Sequence, residues 1–187
     1  MPAKRSPTRT VRHAKLLEAM AQVGHAVTSL LDLDSLFGQV VDIICDTYGF
    51  YYAGVFLLDP HQPGFAILRV GRGEIGHKLV EQGHKLEIAD TSMIGWCINH
   101  QRARIAPRAG QDAVRFQTRM LPETRSEMAL PLIVGGQVIG ALTIQSAVPD
   151  AFTQIDITSL QLIADLLAVA IENARLRARL KEAKAED

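Results

Sequence analysis

Cysteine is scarce in this chain: Cys45 and Cys97 are the only two among 187 residues. Two are too few for a disulfide scaffold, and neither has the neighbouring ligands that a zinc site requires. Net charge is also missing, because twenty basic residues balance twenty acidic ones. That balance argues against a dedicated nucleic-acid binder, which carries a positive excess, and removes a repulsive field that would oppose self-association. The longest apolar stretches fall short of the roughly 18 residues needed to span a bilayer. What is present is a 48% hydrophobic composition in 20.5 kDa, enough for the core of one domain with helical extensions. The plain expectation is a reduced, cytoplasmic globular domain.

The charge is balanced in total but not along the chain. Lys4, Arg5, Arg9, Arg12 and Lys15 all precede the first acid, Glu18. No apolar core follows them, so the segment is not a secretory signal. Its basic, Ser/Thr-containing composition also fits a transit peptide, but a loose tail over residues 1–12 is the preferred reading. Residues 13–180 then form the domain, including a long C-terminal helix, and 181–187 form a charged end.

Leu16, Met20, Val23, Val27 and Leu30 alternate steps of four and three, the stripe of an amphipathic helix. Asp32 or Asp34 can cap a second helix from about Leu36 to Tyr48, which Gly49 stops. Strand chemistry follows over residues 51–58 and returns, after a Pro/Gly-containing turn, over residues 65–70. Short mixed elements lead to Asp90-Thr91-Ser92, which offers caps for a helix through Asn99, and residues 103–106 read as a brief strand. Residues 127–134 and 137–146 flank Gly135-Gly136, a two-residue hairpin turn. Pro131 cannot donate to a ladder and marks an edge or irregular position. A long helix closes the chain from about Phe152 to Lys184. Terminal helices around a mainly antiparallel sheet indicate an α+β domain.

Several motifs tempt. Gly71-Arg72-Gly73-Glu74-Ile75-Gly76 is a literal G-x-G-x-x-G, but the dinucleotide fold also needs a helix and a parallel crossover. Only His77 to Gln82 separate it from Gly83, and the strand before it reads as antiparallel to its predecessor. A turn is the better reading. Cys97 has His100 three residues on, within reach along a helix, the minimum for a thiol nucleophile and its base. Its apolar surroundings favour a small buried hydrophobe, and Cys45 reads as core. The six histidines (His13, His25, His61, His77, His84 and His100) show no metal-ligand pairing. Trp96, the one tryptophan, could line a ligand pocket or pack in the core.

The C-terminal helix carries two stripes. Leu162, Leu166, Val169, Asn173, Leu176 and Leu180 keep an unbroken four-three spacing, while Leu160, Ile163, Leu167 and Ile171 form a second. One domain face can use only one of them. The other is free for a partner helix, and Asn173 is the kind of polar residue that fixes register in a coiled coil. A homodimer through this helix is preferred over one helix packed twice within a single chain, because at about 1.5 Å per residue it outruns a compact domain.

Taken together, the chain resembles a GAF domain from about His13 to Leu180. The most specific piece is Arg125-Ser126-Glu127-Met128-Ala129-Leu130-Pro131-Leu132 followed by Gly135-Gly136-Gln137-Val138-Ile139-Gly140-Ala141-Leu142. Supporting matches are Leu33-Asp34-Ser35-Leu36, Ser92-Met93-Ile94-Gly95-Trp96 and Phe152-Thr153. The resemblance implies a roughly six-stranded, mainly antiparallel sheet with the terminal helices on one face and a pocket on the other. By position it places Trp96, Asn99, Phe116, Arg119, Met120, Met128 and Leu130 in the pocket wall. It implies a non-catalytic sensor that binds a small molecule or partner and passes its state through the terminal helices to an output domain, such as that of a histidine kinase. The absence here of a kinase, phosphodiesterase or DNA-binding segment points to a piece of a larger protein. Departures from the family matter too. The cyclic-nucleotide signature is not recognisable, residues 107 to 126 lack the bilin-attaching cysteine, and two distant cysteines do not match members that reduce methionine sulfoxide. The ligand is therefore unknown. A ligandless dimerisation module and a Cys97/His100 enzyme are the competing readings.

Overall fold

A computed structural model describes residues 9–28, 33–108 and 120–185. Helix α1 (Arg9–Thr28) and helix α2 (Leu33–Tyr48) precede strands β1 (Tyr52–Leu58) and β2 (Phe65–Gly71). Helix α3 (Gly73–Glu81), strand β3 (Lys85–Glu87), helix α4 (Met93–His100) and strand β4 (Arg104–Ala106) follow. The hairpin β5 (Ser126–Val134) and β6 (Gln137–Ser146) leads to helix α5 (Gln154–Ala185). Leu30, Asp32, Phe116 and Arg119 lie outside the described residues, as does most of the basic tail.

The strands form one sheet of order β3-β2-β1-β6-β5-β4 with every neighbouring pair antiparallel. Gly135 and Gly136 take φ of 57° and 77°, the doubly left-handed turn that matches strand twist and that glycine enters without steric cost. Pro131 sits in an interior strand, but β4 pairs only with Glu127 to Ala129, so the flank at Pro131 is unpaired. Its carbonyl accepts a hydrogen bond from Gln161 Nε2 of α5 at 3.2 Å.

The two faces of the sheet carry separate cores. On one, α1, α2 and α5 cover Ala53, Val55, Leu57, Met128, Leu130, Leu132, Leu142 and Ile144. On the other, α3 and α4 cover Phe56, Ala66, Leu68, Ala129 and Ala141. The terminal helices thus share one face, as the family pattern implies.

Helix ends follow local chemistry. The Ser92 hydroxyl accepts from Gly95 N at 2.8 Å and caps α4. Thr153 and Asp156 bond reciprocally before α5: Thr153 N donates to Asp156 Oδ2 (3.0 Å) and Asp156 N to Thr153 Oγ1 (3.2 Å). The G-x-G-x-x-G segment does open a helix, α3, where a simple turn is expected. A methyl on Gly76 would come within 2.1 Å of the Gly71 carbonyl oxygen, so these glycines let α3 lie directly on the end of β2. The next strand, β3, returns antiparallel to β2, so no parallel crossover exists and the dinucleotide reading fails.

In α5 the stripe of Leu160, Ile163, Leu167 and Ile171 is buried against the sheet. Ile155, Leu162, Val169 and Leu176 recur every seven residues on the opposite side, 45%, 44%, 43% and 46% exposed. By length and composition alone this helix is apolar enough to cross a membrane, beyond what the short apolar runs suggest, but half of its most apolar window is buried in the fold.

Candidate functional site

The site lies on the sheet face beneath α4. Strand alternation decides which side chains reach it. Ala129 and Ala141 belong to the core on this face, so Glu127 and Thr143, two positions along the same strands, and Gln145, four along, point the same way. Arg104 pairs with Ala129 and Ala106 with Glu127, which brings Arg104 to this face as well.

Glu127 is the unusual member. It is 2% exposed, and its Oε1 accepts one hydrogen bond from Thr143 Oγ1 at 3.0 Å. Its Oε2 is buried with no hydrogen-bond partner. A buried carboxylate without compensation is costly, and the group answers by holding its proton. Burial pushes the Glu127 carboxyl up to about 8, against the smaller opposing effect of the Thr143 hydrogen bond. Arg104 Nη1 is the other buried side-chain atom without a partner among the described residues. Its guanidinium lies over the Trp96 ring at 4.9 Å.

At the end of the floor, the Thr124 hydroxyl lies 3.0 Å from the Leu121 carbonyl and meets the side chains of Gln145 and Tyr51. Ser126 Oγ donates to the Val148 carbonyl at 2.7 Å. These bonds tie the segment entering β5 to the sheet.

Of the wall residues expected from the family pattern, Trp96 is half-buried on α4 and faces Arg104. Asn99 is exposed and donates to Asp90 Oδ1 at 3.0 Å, so it belongs to the outer surface of α4. Met120 is 36% exposed. Phe116 and Arg119 lie outside the described residues. Met128 and Leu130 require correction: they are fully buried on the other face, under the terminal helices. The expectation was out of phase by one residue, which inverts every side chain of a strand.

The Cys97–His100 pairing is not assembled. Cys97 is fully buried, and burial pushes its thiol up to about 12. His100 turns outward, with Nε2 3.0 Å from Asp90 Oδ2 and its ring stacked on Trp96 at 4.4 Å. Hydrogen bonds from Asn99 and His100 hold the Asp90 carboxyl below its ordinary range. Among the described residues no group of three or more His, Cys, Asp or Glu is placed to hold a metal ion.

A family model for the GAF domain matches residues 31–172. The chain belongs to the GAF family. Solved structures agree on the fold of this GAF domain. The GAF domain of a phosphoenolpyruvate-protein phosphotransferase from Coxiella burnetii is 19% identical with a TM-score of 0.77, covering 89% of this chain and 98% of that one. The free methionine-R-sulfoxide reductase of Neisseria meningitidis, solved with its substrate, is 17% identical with a TM-score of 0.75, covering 94% and 98%. A GAF domain of A. aeolicus nlh2 in an inactive state is 15% identical with a TM-score of 0.68, covering 86% and 98%. A search of curated proteins finds no match. These neighbours include regulatory modules and an enzyme, so the fold does not choose between the two classes.

Sequence reasoning passed over Glu127, Arg104, Thr143 and Gln145. A signal was available in Glu127, an acid followed directly by the apolar run Met128-Ala129-Leu130.

Proposed function

We propose that this GAF domain is a non-catalytic regulatory module that binds a small molecule on the polar floor beneath α4. The observation that carries the reading is the buried Glu127 carboxyl with Oε2 unpartnered. A protein gains nothing in stability from such a group, and a ligand whose polar group hydrogen-bonds it compensates it. The burial of Cys97 and the outward turn of His100 favour regulation over thiol chemistry. The Neisseria relative, solved with its substrate, supports the view that this fold accommodates a small molecule. Binding shifts the packing of α1 and α5 only as far as the ligand prefers one arrangement of them. In this reading the domain works in the cytoplasm as a homodimer joined through α5. It passes its state to an output domain such as that of a histidine kinase, within a two-component system.

A thermal-shift screen of a metabolite library against the wild type and Glu127→Gln tests the reading. At least one compound raises the wild-type melting temperature, with about 2.7 kcal/mol of stabilisation at a hundredfold excess over its dissociation constant. The same compound shifts Glu127→Gln much less. A library that stabilises neither protein overturns the ligand site and leaves a ligandless dimerisation module.

A further inference from the structure

We propose that the linker between β6 and α5 is a hinge through which a change at the floor beneath α4 redirects α5. The proposal rests on the ligand-binding reading above and extends it to how the occupied site is read out. Residues 147–153 connect β6 to α5. The two strands that carry Arg104 and Glu127 are both bonded to this linker. Where β4 ends, the Pro107 carbonyl accepts a hydrogen bond from Asp150 N at 2.8 Å, and Arg108 Nε donates to Asp150 Oδ2 at 2.9 Å. Where β5 begins, Ser126 Oγ donates to the Val148 carbonyl at 2.7 Å, and Arg125 N donates to the Ser146 carbonyl at 2.8 Å. Ser126 adjoins Glu127, and Pro107 follows β4 directly. A displacement of either floor strand therefore pulls on the linker.

One residue of the linker has two backbone states open to it. Asp150 stands at φ 53°, in the left-handed region, although it is not glycine. An L residue keeps that conformation only where its neighbours hold it, and aspartate is among the few that enter it at low cost. The holding contacts here are the bonds to Pro107 and Arg108. Released from them, Asp150 returns to negative φ, and the chain changes direction two residues before Phe152. Phe152 is where the linker docks: its ring lies 5.1 Å from that of Phe50, and Thr153 and Asp156 then open α5. The approach to β5 reaches the same point, since the hydroxyl of Tyr51, next to Phe50, donates to the Leu121 carbonyl at 3.2 Å. Coupling between a site and a distant helix requires a two-state element that both can bias, and Asp150 supplies it.

The two attachments differ in strength, as a hinge needs. The Arg108 and Asp150 side chains are 57% and 54% exposed, so their ion pair contributes little to stability. The two states of Asp150 therefore lie close in free energy, and a ligand needs only a small preference for one of them. Ser126 is fully buried, so a shift of β5 carries Val148 with it instead of breaking the bond.

The test is amide hydrogen exchange on the full chain without ligand, at about pH 7, read at residues 157–162 of α5. Residues 36–44 of α2, in the same core but away from the linker, report any loss of global stability. Asp150→Ala speeds exchange at 157–162 about fivefold more than Asp150→Gly does. Both variants lose the Arg108 pair, but alanine resists the left-handed backbone that glycine enters freely. Ser126→Ala speeds it about fivefold over the wild type, the effect of one lost hydrogen bond. Lys78→Gln, which breaks another exposed ion pair on α3, leaves α5 unchanged. Coupling is reciprocal, so the emission of Trp96, the one tryptophan, shifts in Asp150→Ala and much less in Asp150→Gly. Equal exchange in the alanine and glycine variants, or an unmoved Trp96 emission, overturns the hinge. So does a change in α5 that α2 matches. A failed hinge leaves the ligand-binding reading to the thermal-shift screen, and a screen without hits leaves the hinge standing.

Discussion

Glu127→Gln stabilises the empty domain at pH 8 and flattens its dependence on pH. The Glu127 carboxyl sits at about 8 in the fold, raised by burial from an ordinary value near 4.5. Between those values the folded state holds a proton that the unfolded chain has released. Folding is therefore favoured at the acid end and progressively penalised as pH rises from about 5 to 8. At about 1.4 kcal/mol per unit, the accumulated penalty at pH 8 is on the order of 4 kcal/mol. For a domain of this size that corresponds to a melting temperature on the order of 10 °C lower. Glutamine keeps an acceptor for the Thr143 hydroxyl and has no charge to desolvate, so its melting temperature stays flat over the same range. Thermal melts of both proteins from pH 5 to pH 9 check this. Parallel profiles would show that Glu127 is not the group that titrates.

The second large effect concerns association. Ile155, Leu162, Val169 and Leu176 lie seven apart on the outer side of α5, each nearly half exposed. Leu166, Asn173 and Leu180 fall four residues beyond the last three, the spacing of a coiled-coil seam with one polar residue for register. We expect the wild type to sediment as a dimer and the double variant Leu162→Glu, Val169→Glu as a folded monomer. The fold survives because neither side chain belongs to the buried stripe of Leu160, Ile163, Leu167 and Ile171. Two charges per chain facing their copies in a seam cost several-fold more than they do in water. A monomeric wild type, or a variant that remains dimeric, removes the proposed route from ligand to output.

Much of the architecture is legible in the residues because local chemistry and global packing agree. Ser92 caps α4, Thr153 and Asp156 open α5, and Gly135-Gly136 fixes the hairpin, each through a bond or angle that the residue type requires. In α5 one stripe is buried and Leu162, Val169, Leu176 and Leu180 of the other are exposed, while Leu166 of that second stripe packs against the core. The start of α3 is less legible, since Gly73 and Gly76 lower helix propensity and serve instead to let the helix approach β2.

The site is the least legible part, for a physical reason. Ser126 to Leu132 are buried on both faces of the sheet, so no alternation of polar and apolar residues tells which face each side chain takes. Met128 and Leu130 therefore look as suited to a pocket wall as Ala129 does. Only the pairing of β5 with β4 and β6 shows that Glu127 shares a face with Arg104, Thr143 and α4. Long-range pairing of that kind is not written in any local window.

The titration of the Glu127 carboxyl can be followed directly through the ¹³C shift of its side-chain carbon in the ligand-free protein. A shift that stays protonated through neutral pH and moves only near pH 8 is the predicted result. A group that titrates near 4.5, as a solvated or well-partnered glutamate does, would contradict the claim that the floor beneath α4 holds an uncompensated acid awaiting a ligand.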